Sequence, residues 1–322
     1  MQVSTIPLTP LPADLQALIA KTCAFVAGSK STNTLRGYRS DWADFVHWAE
    51  ARDLCALPAQ PAAVALYLAD RSAILRAATL ARRLNAIAFY HRQAGVIDSP
   101  THGPLVRATF QGIRRTIGTS QTFKQALLTP EIRRIVACCP ETLAGLRDKA
   151  LVLISFAMAA RRSEAAALRS DDLEKVPEGM LVTIRKSKVD QEAAGRKVGI
   201  PYGADEATCP VRALTIYMEA AGIESGFVFR AVDQKGRVSP LGLHSDSVGY
   251  ILKRAAARAG LKVEDIGGHS LRSGFCTDAA KQNVPEYLIR RQARFKPGSK
   301  TLDRYIRLGE MFTRNAAAGI GL

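Results

Sequence analysis

Two arginines, each one helical turn from a partner that could hold it or share its work, are the first residues here whose type and spacing suggest chemistry. In Ala160-Arg161-Arg162-Ser163-Glu164, Arg161 and Glu164 are three apart on one helix face, so the carboxylate can fix the guanidinium. In Gly268-His269-Ser270-Leu271-Arg272, His269 and Arg272 have the same spacing, behind a Gly-Gly loop that lets a helix begin close to a ligand. Arg185-Lys186-Ser187-Lys188 ends a predicted strand with side chains that can reach a phosphate, and Tyr305 lies in the late helical segment Thr301-Leu302-Asp303-Arg304-Tyr305-Ile306-Arg307. Each has an ordinary reading taken alone: a surface ion pair, a basic hairpin, a chance histidine, a packing tyrosine.

Taken together they suit attack on a phosphodiester. Such a substrate repels nucleophiles, and its transition state gathers negative charge on the equatorial oxygens. Two guanidiniums offer forked donors that stay charged at any relevant pH. A phenol, with an unperturbed pKa of about 10, needs a cationic neighbourhood or a base before it attacks. There is no carboxylate cluster of the kind that holds catalytic metals, and no P-loop. No cofactor and no metal are expected.

The bulk charge points the same way. The chain has 45 Lys and Arg against 29 Asp and Glu, a net of +16. An excess of that size favours a polyanionic partner, because basic contacts to phosphates release condensed counterions. The charge runs through the whole chain, so both halves are expected to touch the polyanion. The six cysteines show no C-x-x-C pair and no metal-ligand rhythm, and buried reduced thiols are the economical expectation. The longest apolar run, residues 150–160, is too short to span a bilayer, and no secretory signal opens the chain; a soluble, cytoplasmic protein is expected, with no membrane partner.

These residues need elements to position them. Residues 1–12 read as a Pro-rich arm. Residues 13–117 read as a helical DNA-binding domain: one helix capped by Ser31 or Thr32, one starting at Pro61, one from about Thr79 to Gly95, and one carrying Val106, Phe110, Ile113 and Ile117. Its outward face is expected to present Lys30, Arg36, Arg39, Arg82, Arg83, Arg107, Arg114 and Arg115 to DNA, with Lys186 added from the second domain. Residues 118–128 lose periodicity and read as a linker. Residues 129–322 read as mixed, with short strands at 180–185 and 197–200 among helices.

In order and spacing the four segments resemble the tyrosine recombinase, or phage integrase, family, and the resemblance runs from about Ser31 to the end of the chain. HSLRSGF followed by VPEYLIRRQ is its most specific stretch, and NTLRGYRSDWADFVHW with PAAVALYLADR resembles the Cre-like branch. The resemblance implies a mainly α fold: an N-terminal helical core-binding (SAM-like) bundle and a C-terminal α+β catalytic domain with a small antiparallel sheet, closing as a C-shaped clamp on DNA. It implies that Arg161 and Arg272 hold the scissile phosphate and that Tyr305 forms a 3′-phosphotyrosyl bond. Lys188 would protonate the leaving 5′-oxygen, His269 assist at the nucleophile and Glu164 brace Arg161. It further implies double-stranded DNA with inverted-repeat sites, a Holliday-junction intermediate, a homotetramer joined by exchange of the C-terminal segment, and a bacterial or phage-encoded protein associated with the nucleoid.

Two departures from the family pattern stand out. Where the family has T-G-L-R, this chain has Met158-Ala159-Ala160-Arg161. Upstream of the tyrosine, where His or Trp commonly donates a hydrogen bond, the matching residue is Phe295, which donates nothing. Either cleavage is slower, or Lys296 or Arg294 supplies the donor. A type IB topoisomerase, and a DNA-binding protein that has lost cleavage, are the rival readings.

Overall fold

The computed structural model describes Leu15, Leu18, Lys21 and residues 30–120, 123–185 and 195–320. It divides into two compact units, the second beginning at Phe123.

Within residues 30–120 the first unit is built on helices α1 (Thr32–Glu50), α2 (Pro61–Ser72), α3 (Ala77–Gln93) and α4 (Pro104–Ile117). Ser31 caps α1, its hydroxyl accepting from the Thr34 N–H at 3.2 Å. Proline opens both α2 and α4, where its missing N–H costs nothing. The apolar stripes meet in a core of Phe45, Trp48, Val64, Tyr67, Leu68, Leu80, Ile87 and Val106. Fully buried His91 donates from Nδ1 to the Ile87 carbonyl and accepts at Nε2 from the Ala59 N–H, as a neutral imidazole does.

An internal ion-pair network corrects one expectation about this unit's surface. Arg83 does not face outward: its side chain is 13% exposed and pairs with Asp44 and Asp41 while donating to the Tyr67 hydroxyl. Burying a guanidinium requires such partners. Arg82 is mostly exposed but is held by Asp41 at 2.7 Å. Arg36, Arg39, Arg107, Arg114 and Arg115 are exposed, and the Lys30 ammonium lies about 6 Å from the rings of Tyr38 and Phe89.

The second unit is mixed. Helices α5 (Thr129–Ala137), α6 (Leu143–Ala157) and the short α7 (Arg162–Ala166) precede an antiparallel sheet of β1 (Leu173–Val176), β2 (Gly179–Ile184) and β3 (Arg196–Pro201), in that order. Met180 lies opposite Ile200 and Val182 opposite Val198, which sends their side chains to the buried face. Next come α8 (Pro210–Ala220), a two-stranded sheet of β4 (Arg230–Val232) and β5 (Val238–Gly242), α9 (Ser245–Arg258), α10 (Ser270–Lys281), α11 (Glu286–Ala293) and α12 (Lys300–Glu310). Helix α6 is buried nearly all round, as its continuous apolar run requires.

The stretch read as a linker belongs in part to this unit. Leu127 is fully buried in its core, and the Gln125 and Leu127 N–H groups donate to the carbonyls of Asp265 and Ser270 at 2.7 and 3.1 Å. The cysteines also differ from expectation: Cys209 and Cys276 are buried, but Cys55 and Cys138 are exposed, all of them free thiols. Among the described residues no helix is long and apolar enough to cross a membrane.

Candidate active site

The site grows from the end of α6. The chain leaves that helix through Met158 and Ala159, turns at Ala159 with φ +46°, and starts α7 after Arg161. Glu164, in the first turn of α7, folds back to accept the Arg161 backbone N–H on Oε2 at 2.9 Å. On Oε1 it accepts the Arg161 guanidinium at 2.6 Å. The capping bond and the ion pair thus come from one carboxylate, which fixes Arg161 at both ends. Arg162, one residue on, points elsewhere and pairs with Asp246 at 3.1 Å, so Arg161 is the arginine in register with Glu164.

The sequence did not reveal how far Arg294 takes part. This side chain, only 2% exposed, enters from the far end of α11 and donates to Glu164 Oε2 at 2.7 Å. It also donates to the carbonyls of Met158 at 2.8 Å and Gln292 at 2.7 Å. It is therefore an internal brace, its Nη groups directed at protein acceptors. Its left-handed φ of +56° directs the chain into the site, but Gly or Asn usually marks such a position and arginine gives no sign of it. Lys296 is exposed.

Arg272 comes from the first turn of α10, behind the Gly267-Gly268 loop. It is 3% exposed and donates to the Ala159 carbonyl at 2.6 Å, the carbonyl that Arg294 also approaches. Its guanidinium carbon lies 4.2 Å from the centre of the Phe295 ring, and its Nη2 is buried with no hydrogen-bond partner. Burial first, and then the neighbouring Arg161 charge, lower its pKa to about 10, so it remains a cation at neutral pH. For Glu164, burial works against ionisation, but Arg294 and Arg161 outweigh it and hold the carboxyl below its ordinary range.

Tyr305 lies on the stripe of α12 formed by Leu302, Tyr305 and Gly309, which packs on α10. Gly309 is needed there, because a Cβ would collide with the Thr277 carbonyl of α10. The Tyr305 ring meets Phe295 edge-on at 6.4 Å and shares a small core with Ala159 and Cys276. Arg161, Glu164, Arg272, Phe295 and Tyr305 therefore form one continuous neighbourhood. His269 precedes α10 and is exposed. Lys186 and Lys188 lie outside the described residues, between β2 and β3.

Three guanidiniums cluster at one carboxylate that bonds two of them, and Arg272 Nη2 and Arg294 Nε remain as buried donors without a partner, an arrangement chemically suited to an oxyanion. The model of the phage integrase family matches residues 125–310, and an integrase/recombinase XerD homologue of Selenomonas ruminantium is 37% identical over 291 residues, 89% of this chain and 85% of that protein. The chain belongs to the phage integrase family. It is thus a member of the tyrosine recombinases, whose work is site-specific recombination. Tyrosine recombinase XerA of Thermococcus kodakarensis is 32% identical over 165 residues, 51% of each chain. Among solved structures, Tn1549 transposon integrase with transposon right end DNA superposes with a TM-score of 0.61 at 14% identity, over 90% of this chain and 92% of that one. A lambda integrase tetramer bound to a Holliday junction gives 0.57 at 15% identity, over 90% and 76%. At those identities the likeness is one of fold: mainly helical, with a small antiparallel sheet.

Proposed function

We propose that this recombinase cuts and rejoins DNA strands at specific sites by transesterification through Tyr305. The Tyr305 oxygen attacks phosphorus, the 5′-oxygen leaves, and a 3′-phosphotyrosyl bond keeps the energy of the phosphodiester, so rejoining needs no ATP. Arg161 and Arg272 hold the non-bridging oxygens, Lys188 gives the departing 5′-oxygen its proton, and His269 handles the proton at the nucleophile. Glu164 acts one step back by fixing Arg161, and Arg294 by holding Glu164 and approaching the Ala159 carbonyl that Arg272 also bonds. The guanidiniums provide the charge stabilisation that a metal would otherwise supply, and cleavage is expected to survive chelators.

The observation that carries this reading is the Arg272 guanidinium: buried, cationic, stacked on Phe295 beside the Tyr305 ring, with Nη2 unsatisfied. A phosphate oxygen would satisfy it. The helical unit and the catalytic unit would both bind duplex DNA with inverted-repeat sites. Four protomers would hold two duplexes through a Holliday junction, each lending its C-terminal segment to a neighbour. Exposed Met311 and Phe312, just beyond α12, suit that exchange. The test is a nicked suicide substrate, on which wild type becomes covalently trapped and Tyr305→Phe does not. Equal trapping by both would remove Tyr305 as the nucleophile.

A further inference from the structure

The segment that leads into α5 does more than connect. From residue 123 to 129 it touches three of the elements that carry the candidate site: the turn before α10, α10 itself and α12. Lys124 Nζ donates to the Glu264 carbonyl, and the Gln125 and Leu127 N–H groups donate to Asp265 and Ser270, on either side of the Gly267-Gly268-His269 turn. The Leu127 carbonyl passes so close to α10 that any Cβ at Gly274 would collide with it, and Thr129 donates to Asp278 further along that helix. At its start, Phe123 lies beneath Arg304: the guanidinium carbon is 3.3 Å from the ring centre, flat-stacking distance. Arg304 immediately precedes the proposed nucleophile, and its guanidinium carbon is 5.3 Å from the Tyr305 ring centre.

Arg304 has an unusual environment for a helix residue with a half-exposed neighbour. Its Nε is buried with no hydrogen-bond partner, a condition that an ordinary surface arginine avoids by turning to water. The aromatic face opposite it offers the compensating attraction. Phe123 is itself 50% exposed, so it contributes little to the core.

We infer that the Phe123–Arg304 stack is a positioning device for the nucleophile: Phe123 pins Arg304, and Arg304 sets the pitch of α12 that aims Tyr305 at the phosphate. The strap then holds the His269 turn, the helix of Arg272 and the helix of Tyr305 to one another within a single protomer. Neither residue touches the reacting atoms. Their action is on where the phenol sits, and small misplacements of a nucleophile cost rate steeply. The inference rests on Tyr305 being the nucleophile.

The test compares Phe123→Ala, Phe123→Trp, Arg304→Gln and the Phe123→Ala/Arg304→Gln double variant with wild type. Single-turnover trapping on the suicide substrate, DNA affinity and thermal melting are measured for each full-length protein. Phe123→Ala and Arg304→Gln should each slow trapping by roughly 10- to 100-fold. The double variant should be no slower than the worse single, because both remove one contact, and Phe123→Trp should restore the rate. Phe123→Ala should bind DNA as wild type does.

A second arm separates aiming from general damage. In a Tyr305→Phe background, hydrogen peroxide serves as an external nucleophile on the same phosphate and releases the same 5′-hydroxyl. Adding Phe123→Ala should leave this peroxide-driven cleavage unchanged, whereas a loosened phosphate clamp would slow it too. Amide hydrogen exchange without DNA gives a further readout: Phe123→Ala should speed exchange within α12. Wild type that fails to trap would overturn the recombination chemistry itself. Wild type that traps, with Phe123→Ala trapping at the same rate, with additive single effects, or with equal loss in the peroxide arm, would overturn the stack as a positioning device.

Discussion

Glu164→Gln tests the electrostatic design of the site most directly, because the replacement keeps the shape and removes only the charge. Both carboxylate oxygens face donors alone: Oε1 faces the Arg161 guanidinium, and Oε2 faces the Arg161 N–H and the Arg294 guanidinium. Whichever way the glutamine amide turns, its NH₂ confronts a donor. One buried donor pair is left unsatisfied, and Arg161, Arg272 and Arg294 lose their shared counter-charge. Breaking a buried ion pair from one side costs about 3 kcal/mol or more. For a unit of this size that lowers Tm by roughly 6–12 °C. The pH dependence gives the sign check. Because the folded pKa of Glu164 lies below its unfolded value, its contribution is complete above the ordinary glutamate range and is lost as pH falls through the folded value. The gap in Tm between wild type and Glu164→Gln should therefore be full at pH 7 and narrow below about pH 4. Melting followed by circular dichroism from pH 7 to pH 3 measures both quantities. A drop under ~2 °C at pH 7, or a gap that stays constant down to pH 3, would refute the reasoning.

Other variants probe separate parts of the structure. Ala159→Gly should stabilise the protein by roughly 0.5–1 kcal/mol, visible as a higher Tm, since alanine at φ +46° carries a left-handed penalty that glycine avoids. Arg272→Lys should slow suicide-substrate cleavage by about 10²- to 10³-fold, because an ammonium cannot bond Ala159, stack on Phe295 and still present a second donor. Arg36→Gln and Arg39→Gln should each reduce the salt slope of DNA binding by about 1, while Arg83→Gln should lower the melting temperature of the helical unit, since Arg83 neutralises buried Asp41 and half-buried Asp44. Salt titrations and melts on the same three proteins should separate the two behaviours.

What could be read from the sequence follows from how local each signal is. Helix α1 is capped at Ser31, α3 ends just before Gly95, and α2 and α4 open at proline, because capping residues, Gly and Pro act on their immediate backbone. Strands β2 and β3 show apolar alternation and stand out. Strands β1, β4 and β5 are short, and LEKV, RAV and VSPLG carry no such alternation; long-range pairing makes them strands. Arg161 and Arg272 could be picked out because each lies one turn from a chemically sensible partner. Arg294 does not show its role that way: it reaches Glu164 across 130 residues of chain, and its left-handed turn is one that arginine seldom marks. Arg83 reads as surface for the same reason, since Asp44 lies 39 residues away.

The placement of Arg294 changes how Phe295 should be understood. A missing donor at Phe295 looks like a loss of stabilising power if the site is judged by hydrogen bonds alone. The ring instead supports the flat face of Arg272, and the residue before it adds a third cation behind the first two. With Glu164 as their only paired anion, Arg161, Arg272 and Arg294 leave an excess of two positive charges, most of it away from water. That excess is unfavourable, and the lowered pKa of Arg272 reflects its burial first and then the neighbouring Arg161 charge. A phosphodiester brings one negative charge, and its transition state brings close to two. In the proposed reaction the mismatch would be relieved only partly when DNA binds and most fully as the phenol attacks, which is the differential stabilisation that speeds a reaction rather than merely tightening binding. By the same linkage, inorganic sulfate or phosphate bound in the pocket must raise the proton affinity of Arg272 and the stability of the fold together.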